Sequence, residues 1–377
     1  MRGHLALRLA LVLALFALVA GGCSLGGDDE GDNGGGEAAG ETNGEAGGGG
    51  GEGGSVLDRV TERGTVVCGV NDAVPGFGFV TEGGEFEGFD IDFCRVVAAA
   101  VLGDAEAVEF KPLTAEQRFT ALQSREIDIL IRNTTYTASR DGSEGATFAT
   151  TTFYDGQGMM VREDSEYQSL DAMEGTTICV LSGTTTELNL ESQFQKLGLD
   201  YTPLSFEDND PLQQAFIQER CDGWTSDKSQ LAGIRSSWPE GQGGPEALRI
   251  LDETMSKEPL GPVTRDGDTQ WADAVNWAVI ATMQAEEFDI TSENIGEMEG
   301  SDDPEIARFL GQPTEDEAEF EAGLGLPGDF AVQVVTQVGN YAEIYERHLG
   351  PSSPLQLPRD VNALYTDGGL HYPPPFR

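Results

Sequence analysis

Two carboxylates in the segment GFDIDFC, Asp90 and Asp92, are the first residues whose type and spacing could do chemistry. A pair of carboxyl groups can act as a general acid and a general base. A helix-like stretch, Ile91–Leu102, follows at once, and residues at i and i+2 on a helix do not face each other. Asp90 instead stands where an N-cap accepts free backbone N–H groups, and Asp92 falls in the first turn, where negative charge suits the helix dipole. The spacing therefore predicts helix capping and not catalysis.

Other residue combinations that carry chemistry in enzymes do not occur in the sequence. It contains no phosphate-binding loop and no nucleophile–base grouping. Only three histidines are present, and none lies near a cysteine at the spacing of a zinc site. We therefore expect no catalytic residue, no metal and no cofactor. The segment SGTTTE has capping-box spacing between Thr184 and Glu187, and the free N–H groups at such a helix start form an anion site.

The elements that must position these residues alternate between strands and helices, which predicts an α/β fold with mostly parallel sheets. About 320 residues follow the N-terminal region, which is long for one core and suits two lobes. The last 25 residues are rich in proline and glycine and predict irregular structure. Predicted strands cover residues 65–70, 108–113, 127–132, 176–183, 201–206 and 221–226, and predicted helices cover 91–102, 115–123, 184 onward, 211–219, 271–287 and 330–349.

Residues 1–22 have the pattern of an export signal. A positively charged start precedes a continuous apolar run, Leu9–Ala20, which is shorter than the about 20 residues of a membrane span. Small residues then precede Cys23 and resemble the bacterial lipobox, in which the cysteine is acylated and held in the membrane. The alternative is an ordinary secretory signal with an incidental cysteine. Residues 23–54 are glycine-rich and acidic, and predict a flexible tether with a reach of about 30 Å.

The net charge of −44 excludes a nucleic-acid-binding protein, because contact with phosphates needs clusters of lysine and arginine. It also argues against adhesion to anionic lipid. Export predicts a compartment in which disulfides persist. The four cysteines besides Cys23 allow three pairings. The favoured pairing is Cys68–Cys94 with Cys179–Cys221, because each bond then closes within one lobe, and four free thiols are the alternative.

GFDIDFC followed by a small-residue helix is similar to the signature of family 3 solute-binding proteins, the extracytoplasmic receptors of polar amino-acid ABC importers. Further similar segments indicate the general L-amino-acid-binding branch, and the resemblance runs from about residue 57 to the end of the chain. These segments are RFTALQSREIDIL (118–130), RNTTYTASRD (132–141), FYDGQGMMV (153–161), GTTTELNL (183–190), SKEPLGP (256–262) and the tail from VGNYAEIYERHLG onward. The tether and the lipobox depart from the free periplasmic form that is usual in this branch.

The resemblance implies a type II periplasmic-binding-protein fold, in which a hinge with two crossings joins two α/β lobes. In this interpretation residues 55–155 and 257–377 form lobe 1 and residues 156–256 form lobe 2, with the hinge near 154–158 and 254–257. A ligand that touches both lobes then favours the closed state. The expected partners are a free L-amino acid and the transmembrane subunits of an ABC permease. We expect a monomer, lipid-anchored on the extracytoplasmic face of the membrane.

The resemblance also implies an amino-acid site between the lobes, where both charges of the ligand must be compensated when water leaves. It places the planar guanidinium of Arg140 on the α-carboxylate, joined by Thr185 from lobe 2. It places Asp227 on the α-ammonium group. Arg118 resembles the position that binds the distal carboxylate of glutamate or aspartate, and the alternative for Arg118 is a helix-surface arginine. The remaining implied contacts are Asn71, Asn133 and Thr135.

Two other functions remain as alternatives, since a fold does not fix a function. An extracytoplasmic enzyme similar to cyclohexadienyl dehydratase has the same architecture, but it needs an acid placed over the substrate ring, and no residue is marked for that role. The second alternative is a receptor that signals through a membrane partner. The sequence favours a membrane-anchored binding protein, and not an enzyme, that takes free L-amino acids of broad or polar and acidic character.

Overall fold

The computed structural model of the chain describes residues 54–313 and 323–377. The predicted signal peptide, Cys23 and nearly all of the predicted tether therefore lie outside the described residues. No helix within the described ranges combines the length and the apolar character that crossing a membrane requires.

The described residues form fifteen β-strands and eleven α-helices. The strands are β1 Val66–Val70, β2 Ala73–Val74, β3 Gly78–Val80, β4 Phe86–Glu87, β5 Val108–Pro112, β6 Ile129–Leu130, β7 Ala146–Phe148, β8 Phe153–Asp155, β9 Gln157–Arg162, β10 Thr176–Leu181, β11 Tyr201–Phe206, β12 Gly223–Asp227, β13 Leu248–Ile250, β14 Glu258–Leu260 and β15 Val263–Arg265. The helices are α1 Val56–Arg63, α2 Phe89–Leu102, α3 Gln117–Gln123, α4 Ala138–Ser143, α5 Thr185–Leu197, α6 Asn209–Ile217, α7 Lys228–Ser236, α8 Thr269–Glu287, α9 Pro304–Phe309, α10 Phe330–Gln337 and α11 Tyr341–His348.

Two five-stranded sheets organise the fold, one for each lobe. Their strand orders are β5-β1-β6-β15-β7 and β11-β10-β12-β9-β13. In each sheet three neighbouring strands are parallel: β5, β1 and β6 in one, and β11, β10 and β12 in the other. The next strand of each sheet, β15 or β9, pairs antiparallel with them. The predicted parallel order therefore holds for the first three strands of each lobe, and the complete sheets are mixed. Strand β1 is nearly continuous in apolar residues because helices cover both faces of a sheet of this kind.

Helix α2 begins two residues earlier than predicted, and this changes the role of Asp90. Gly88 is the N-cap, with φ +137°, and a Cβ atom there would lie 2.2 Å from the carbonyl oxygen of Phe77. Glycine is therefore required at the helix start. Asp90 lies in the first turn and is buried, so the prediction that it is the N-cap is wrong.

The carboxylate of Asp92 ties α2 to the C-terminal part of the chain. It pairs with Arg95 at 2.9 Å, with His348 at 2.7 Å and with Arg347. Burial alone raises the pKa of Asp92, but the hydrogen bond and charge of His348, together with the two arginines, outweigh burial and hold that pKa below its ordinary value. Asp92 thus has a structural role, as its place in the first turn predicts.

The predicted helix over residues 330–349 is in fact two helices, α10 and α11. Gly339 and Asn340 separate them, and Asn340 forms a capping box with Glu343 at the start of α11. The side chain of an asparagine at an N-cap satisfies backbone N–H groups that have no partner inside the helix. This local preference is stronger than the apolar periodicity that continues through the break.

The chain passes between the two sheets twice. One connection covers residues 149–156 and contains β8, and the other covers 251–262 and contains β14. The two strands pair antiparallel in a small sheet of their own. The predicted lobe boundaries, at 155/156 and 256/257, fall inside these connections and stay a prediction. Both favoured disulfides are present, Cys68–Cys94 in the first lobe and Cys179–Cys221 in the second.

The C-terminal segment braces the first of the two crossings. The side chain of Asn362 accepts from the Tyr154 N–H at 2.7 Å and donates to the Tyr154 carbonyl at 3.1 Å, as a neighbouring strand would. The Tyr341 hydroxyl donates to the Thr152 carbonyl at 2.7 Å, and His371 contacts that hydroxyl. We call Tyr341, Asn362 and His371 the C-terminal brace.

We expect Asn362→Ala to lower the free energy of unfolding by about 1–3 kcal/mol, because two backbone groups of β8 lose their partner in a buried position. Urea denaturation followed by circular dichroism measures this. The neighbouring Val361→Ala is the control, since Val361 is exposed and the change should stay within about 0.5 kcal/mol. Equal urea midpoints for the two variants would contradict the brace.

Candidate ligand-binding site

The predicted site residues lie where strands of both sheets end. Asn71 follows β1, Asn133 lies beyond β6, Thr185 begins α5 after β10, and Asp227 ends β12. Ligands of open α/β sheets bind outside the carboxyl ends of the strands. The two sheets present these ends to each other, so the site lies between the lobes.

An enclosed cavity of about 30 Å³ lies at this place. Six of the seven predicted residues line it, and Arg140 does not. Arg140 is buried behind Thr135, to whose carbonyl its Nη1 donates at 2.9 Å. The cavity is lined by Asn71, Arg118, Arg132, Asn133, Thr135, Leu181, Thr184, Thr185, Thr186, Ser226, Asp227 and Gln230.

Asn133 has a strained backbone that Asp90 fixes. Its φ is +38°, a region that non-glycine residues seldom adopt. The Asp90 carboxylate accepts from the Asn133 N–H at 2.8 Å, and the Asn133 Oδ1 accepts from Asn71 at 2.9 Å. Burial raises the pKa of Asp90 to about 7, although the Asn133 N–H and the charge of Arg132 act against the rise. Asp90 therefore positions a cavity residue, a role that sequence reasoning missed.

Three buried arginines surround the cavity without an ion pair. Arg118, Arg132 and Arg140 are 2%, 6% and 7% exposed, so the helix-surface alternative for Arg118 is wrong. Their hydrogen bonds go to the backbone carbonyls of Gly183, Leu113 and Thr135. Within the described residues none of the three touches a carboxylate. This is an unusual cluster of positive charge in a chain of net charge −44.

The pKa values of two of these arginines are lowered, chiefly by burial. Burial, with the charges of Arg140 and Arg132, holds the pKa of Arg118 well below its usual value. Burial also lowers the pKa of Arg140, although Glu258 and Asp227 act against it. A buried cation is costly unless an anion compensates it. The cluster therefore favours a negatively charged group between the lobes.

Carboxylates gather on the opposite side of the cavity. Burial, then the charges of Asp155 and Glu258, raise the pKa of Asp227 well above its ordinary value, while Arg140 and Arg118 lower it. Burial also raises the pKa of Asp155, which accepts from the Ser229 hydroxyl and N–H. A positive group placed beside Asp227 would relieve this repulsion.

Buried polar atoms without partners show which groups the cavity suits. Among the described residues, the donors Asn133 Nδ2 and Arg118 Nε and the acceptor Asp227 Oδ1 have no hydrogen-bond partner. Buried polar atoms are nearly always paired, so these three atoms are available to a bound group. The cavity thus presents donors for an anion and an acceptor for a cation.

Direct contacts between the lobes close the cavity. The hydroxyls of Thr135 and Thr185 lie 3.3 Å apart, and Thr185 also donates to Glu258 at 2.8 Å. Asn189 donates to the other oxygen of Glu258 at 2.8 Å. Sequence reasoning missed Glu258, although it lies in SKEPLGP, one of the segments that carry the resemblance. Glu258 lies on the second crossing and bonds to α5 of lobe 2.

A glycine permits this close approach. A Cβ atom on Gly233, in α7, would lie 2.3 Å from the carbonyl oxygen of Pro75, in the first lobe. Any larger residue at this position must push the lobes apart. The described residues contain no group of three or more His, Cys, Asp or Glu side chains arranged to hold a metal ion.

The sequence pattern of the bacterial extracellular solute-binding proteins, family 3, matches residues 66–296. The chain belongs to this family. Over 323 residues it is 46% identical to the general L-amino acid-binding periplasmic protein AapJ of Rhizobium johnstonii, covering 86% of this chain and 93% of that protein. It is 44% identical over 324 residues to the glutamate/glutamine/aspartate/asparagine-binding protein BztA of Rhodobacter capsulatus, covering 86% and 94%.

A solved structure shares the fold over nearly the same length. This is an ABC transporter periplasmic binding protein from Brucella ovis with glutathione bound, which is 44% identical. The match covers 86% of this solute-binding protein and 100% of that chain, with a TM-score of 0.81. The predicted family and the predicted two-lobed fold are thus confirmed, and each of these relatives is named a binding protein.

We expect Gly233→Ala to hold this solute-binding protein in a more open form, because the added methyl group meets the backbone of the other lobe. Small-angle X-ray scattering should give a larger radius of gyration than for the wild type. Alanine favours the helix itself by about 0.5–1 kcal/mol, so unfolding does not explain opening. Gly241→Ala is the control, since nothing lies within 4 Å of its Cβ position. Equal radii for the two variants would contradict the contact.

Proposed function

We propose that this solute-binding protein binds free L-amino acids between its lobes and delivers them to an ABC permease from the outer face of the membrane. One observation carries the proposal. The enclosed cavity has unpaired donors in Asn133 and Arg118 on one side and an unpaired acceptor in Asp227 on the other. An α-amino acid carries a carboxylate and an ammonium group on one carbon atom and matches this arrangement.

The charged head of the ligand has a proposed partner for each group. Thr185, Asn133 and Thr135 line the cavity and are assigned to the α-carboxylate. Arg140 is assigned to the same carboxylate, with its charge acting from behind Thr135. Asp227 is assigned to the ammonium group. Charge-assisted hydrogen bonds contribute about 1.5–3 kcal/mol each. A few of them, less the cost of closure, suffice for the roughly −8 kcal/mol of micromolar binding.

The excess of buried positive charge favours acidic and amide side chains. Arg118 lines the cavity and is assigned to the distal carboxylate of glutamate and aspartate. The names of the relatives support such a range, since one is a general L-amino acid-binding protein and another binds glutamate, glutamine, aspartate and asparagine. The glutathione of the Brucella ovis structure also carries a free α-amino acid head on its glutamyl residue.

Acylation of Cys23 is the proposed anchor. The sequence pattern supports it, and the residue lies outside the described residues. Two or more acyl chains would hold the protein firmly, since each buried CH₂ contributes about 0.8 kcal/mol. The rival, a dehydratase of the same architecture, has less support because the similar proteins named above are transporter binding proteins. Turnover of arogenate or prephenate by the purified protein would favour the rival.

We expect Arg140→Ala to abolish the ligand-induced rise in melting temperature for every amino acid of a standard panel. Loss of one partner of a buried charged pair costs about 2–5 kcal/mol, or more than about 30-fold in affinity. Arg118→Ala should reduce the rise in melting temperature with glutamate and aspartate. The rise with glycine and alanine should stay unchanged.

The ligand-free melting temperature of each variant controls for folding. If Arg118→Ala loses the response to glycine and Arg140→Ala keeps it, the two roles are exchanged. Arg118 would then bind the α-carboxylate and Arg140 the distal carboxylate. A wild-type protein that responds to no amino acid would overturn the proposed function.

We expect the affinity for alanine to fall as the pH falls through the raised pKa of Asp227. Burial and the neighbouring Asp155 and Glu258 favour the protonated form, and Arg140 and Arg118 act against them. Only the ionised form neutralises an ammonium group, so binding releases a proton at pH values below this pKa. The loss approaches about tenfold per pH unit.

Isothermal titration calorimetry at about pH 8 and about pH 5 tests this, because alanine itself does not titrate in that range. Asp227→Asn is the control. It should bind alanine more weakly than the wild type and with a smaller pH dependence, since Asp90, whose pKa is raised to about 7, still titrates in this range. A wild-type affinity that does not change with pH would contradict the assignment of Asp227.

A further inference from the structure

A large crevice between the lobes adjoins the enclosed cavity. Its volume is about 680 Å³, and it shares Asn71 and Arg132 with the cavity. The cavity is small in this closed arrangement, at about 30 Å³, so a ligand whose charged head occupies it has little room there for a long side chain. The two shared residues, Asn71 and Arg132, mark the place where a longer side chain would extend into the crevice.

Arg132 marks the junction between the two spaces. It is 6% exposed, and its Nε donates to the Leu113 carbonyl at 2.7 Å. Its two terminal nitrogens have no hydrogen-bond partner in the described part of the chain. Burial lowers the pKa of Arg132 to about 10, while Asp72, Asp90 and Asp208 raise it, so the side chain stays charged at neutral pH. A buried, charged donor thus borders the route that a long side chain would take.

Both lobes supply polar and apolar walls to the crevice. The amide side chains of Gln117, Asn209 and Gln213 suit the N–H and C=O groups of a peptide, and Phe79 and Ile234 add apolar surface. Asp72, Asp208 and Asp210 are exposed at the rim. Water and salt screen their charges more than that of Arg132. The crevice therefore suits an amide chain whose oxygen atoms reach Arg132.

The charged head limits which extended compounds fit. Arg140 and Asp227 require a free carboxylate and a free ammonium group on the same carbon atom. An ordinary α-linked peptide carries them on different residues and lacks this head. An amino acid extended through its side chain keeps it, as in a peptide linked through the γ-carboxyl group of glutamate.

We propose that the crevice is a second subsite, which holds the group joined through nitrogen to the γ-carboxyl of γ-glutamyl compounds, and that Arg132 donates to the oxygen atoms of that group. The proposal rests on the proposed function, because the head must occupy the cavity first. Arg132 is then a specificity-determining residue for long ligands.

Calorimetry of the mature protein with four compounds tests this: alanine, glutamine, γ-glutamylglycine and the α-linked glycylglutamate. γ-Glutamylglycine should bind within about tenfold of glutamine, and glycylglutamate should not bind. If glutamine binds and γ-glutamylglycine does not, the second subsite is overturned and the proposed function stands. If none of the four binds, the proposed function itself fails.

Arg132→Gln should weaken the binding of γ-glutamylglycine at least about tenfold more than it weakens the binding of alanine. An equal loss for alanine would show that Arg132 only maintains the structure, and would overturn its role. The ligand-free melting temperature reports on folding.

Gln117→Trp keeps the test decisive if Arg132→Gln does not fold, because Gln117 is exposed and lies on the crevice wall. The larger side chain should weaken γ-glutamylglycine at least about tenfold and leave alanine unchanged. Thr120→Trp, an exposed residue of the same helix that does not line the crevice, is the matched control. Unchanged binding of γ-glutamylglycine to Gln117→Trp would contradict the subsite.

Discussion

The crowding of Arg118, Arg132 and Arg140 is the constraint on which the rest of the structure depends. Three guanidinium groups are buried near one another with only backbone carbonyls to bond. Such a cluster needs a rigid support, because mutual repulsion and lost hydration both act against it. The first lobe provides this support, since helix α3, the segment after β6 and helix α4 carry the three arginines around one sheet.

The second lobe and the crossings supply the opposite charge. Asp227 ends a buried strand of lobe 2, while Asp155 and Glu258 belong to the two connections between the sheets. Closing the lobes thus brings positive and negative charges together across a small space with little water. The same residues that join the lobes also bond across them, as Glu258 does with Thr185 and Asn189. Movement of the hinge and the electrostatics of the cavity are therefore coupled.

Sequence patterns predicted the architecture because strand and helix periodicities are local. They predicted six of the twelve residues that line the cavity because the motifs of the family follow strand ends. They did not predict what depends on contacts between distant segments. Asp90 has the sequence position of a cap, and its partner is the Asn133 N–H. Arg132 and Glu258 are unremarkable until the fold buries them beside the cavity. Arg140 donates to the Thr135 carbonyl and does not line the cavity, which no spacing rule predicts.

The C-terminal brace has a consequence for how this protein is divided and compared. The family pattern ends at residue 296, whereas Tyr341, Asn362 and His371 lie beyond it and grip the β8 crossing. A fragment trimmed to the shared pattern would keep the strands of both sheets but leave β8 with fewer bonds. The hinge of such a fragment would be less restrained, so its lobe motion would differ from that of the full chain. In this protein, residues beyond the family pattern thus hold one of the two crossings in place.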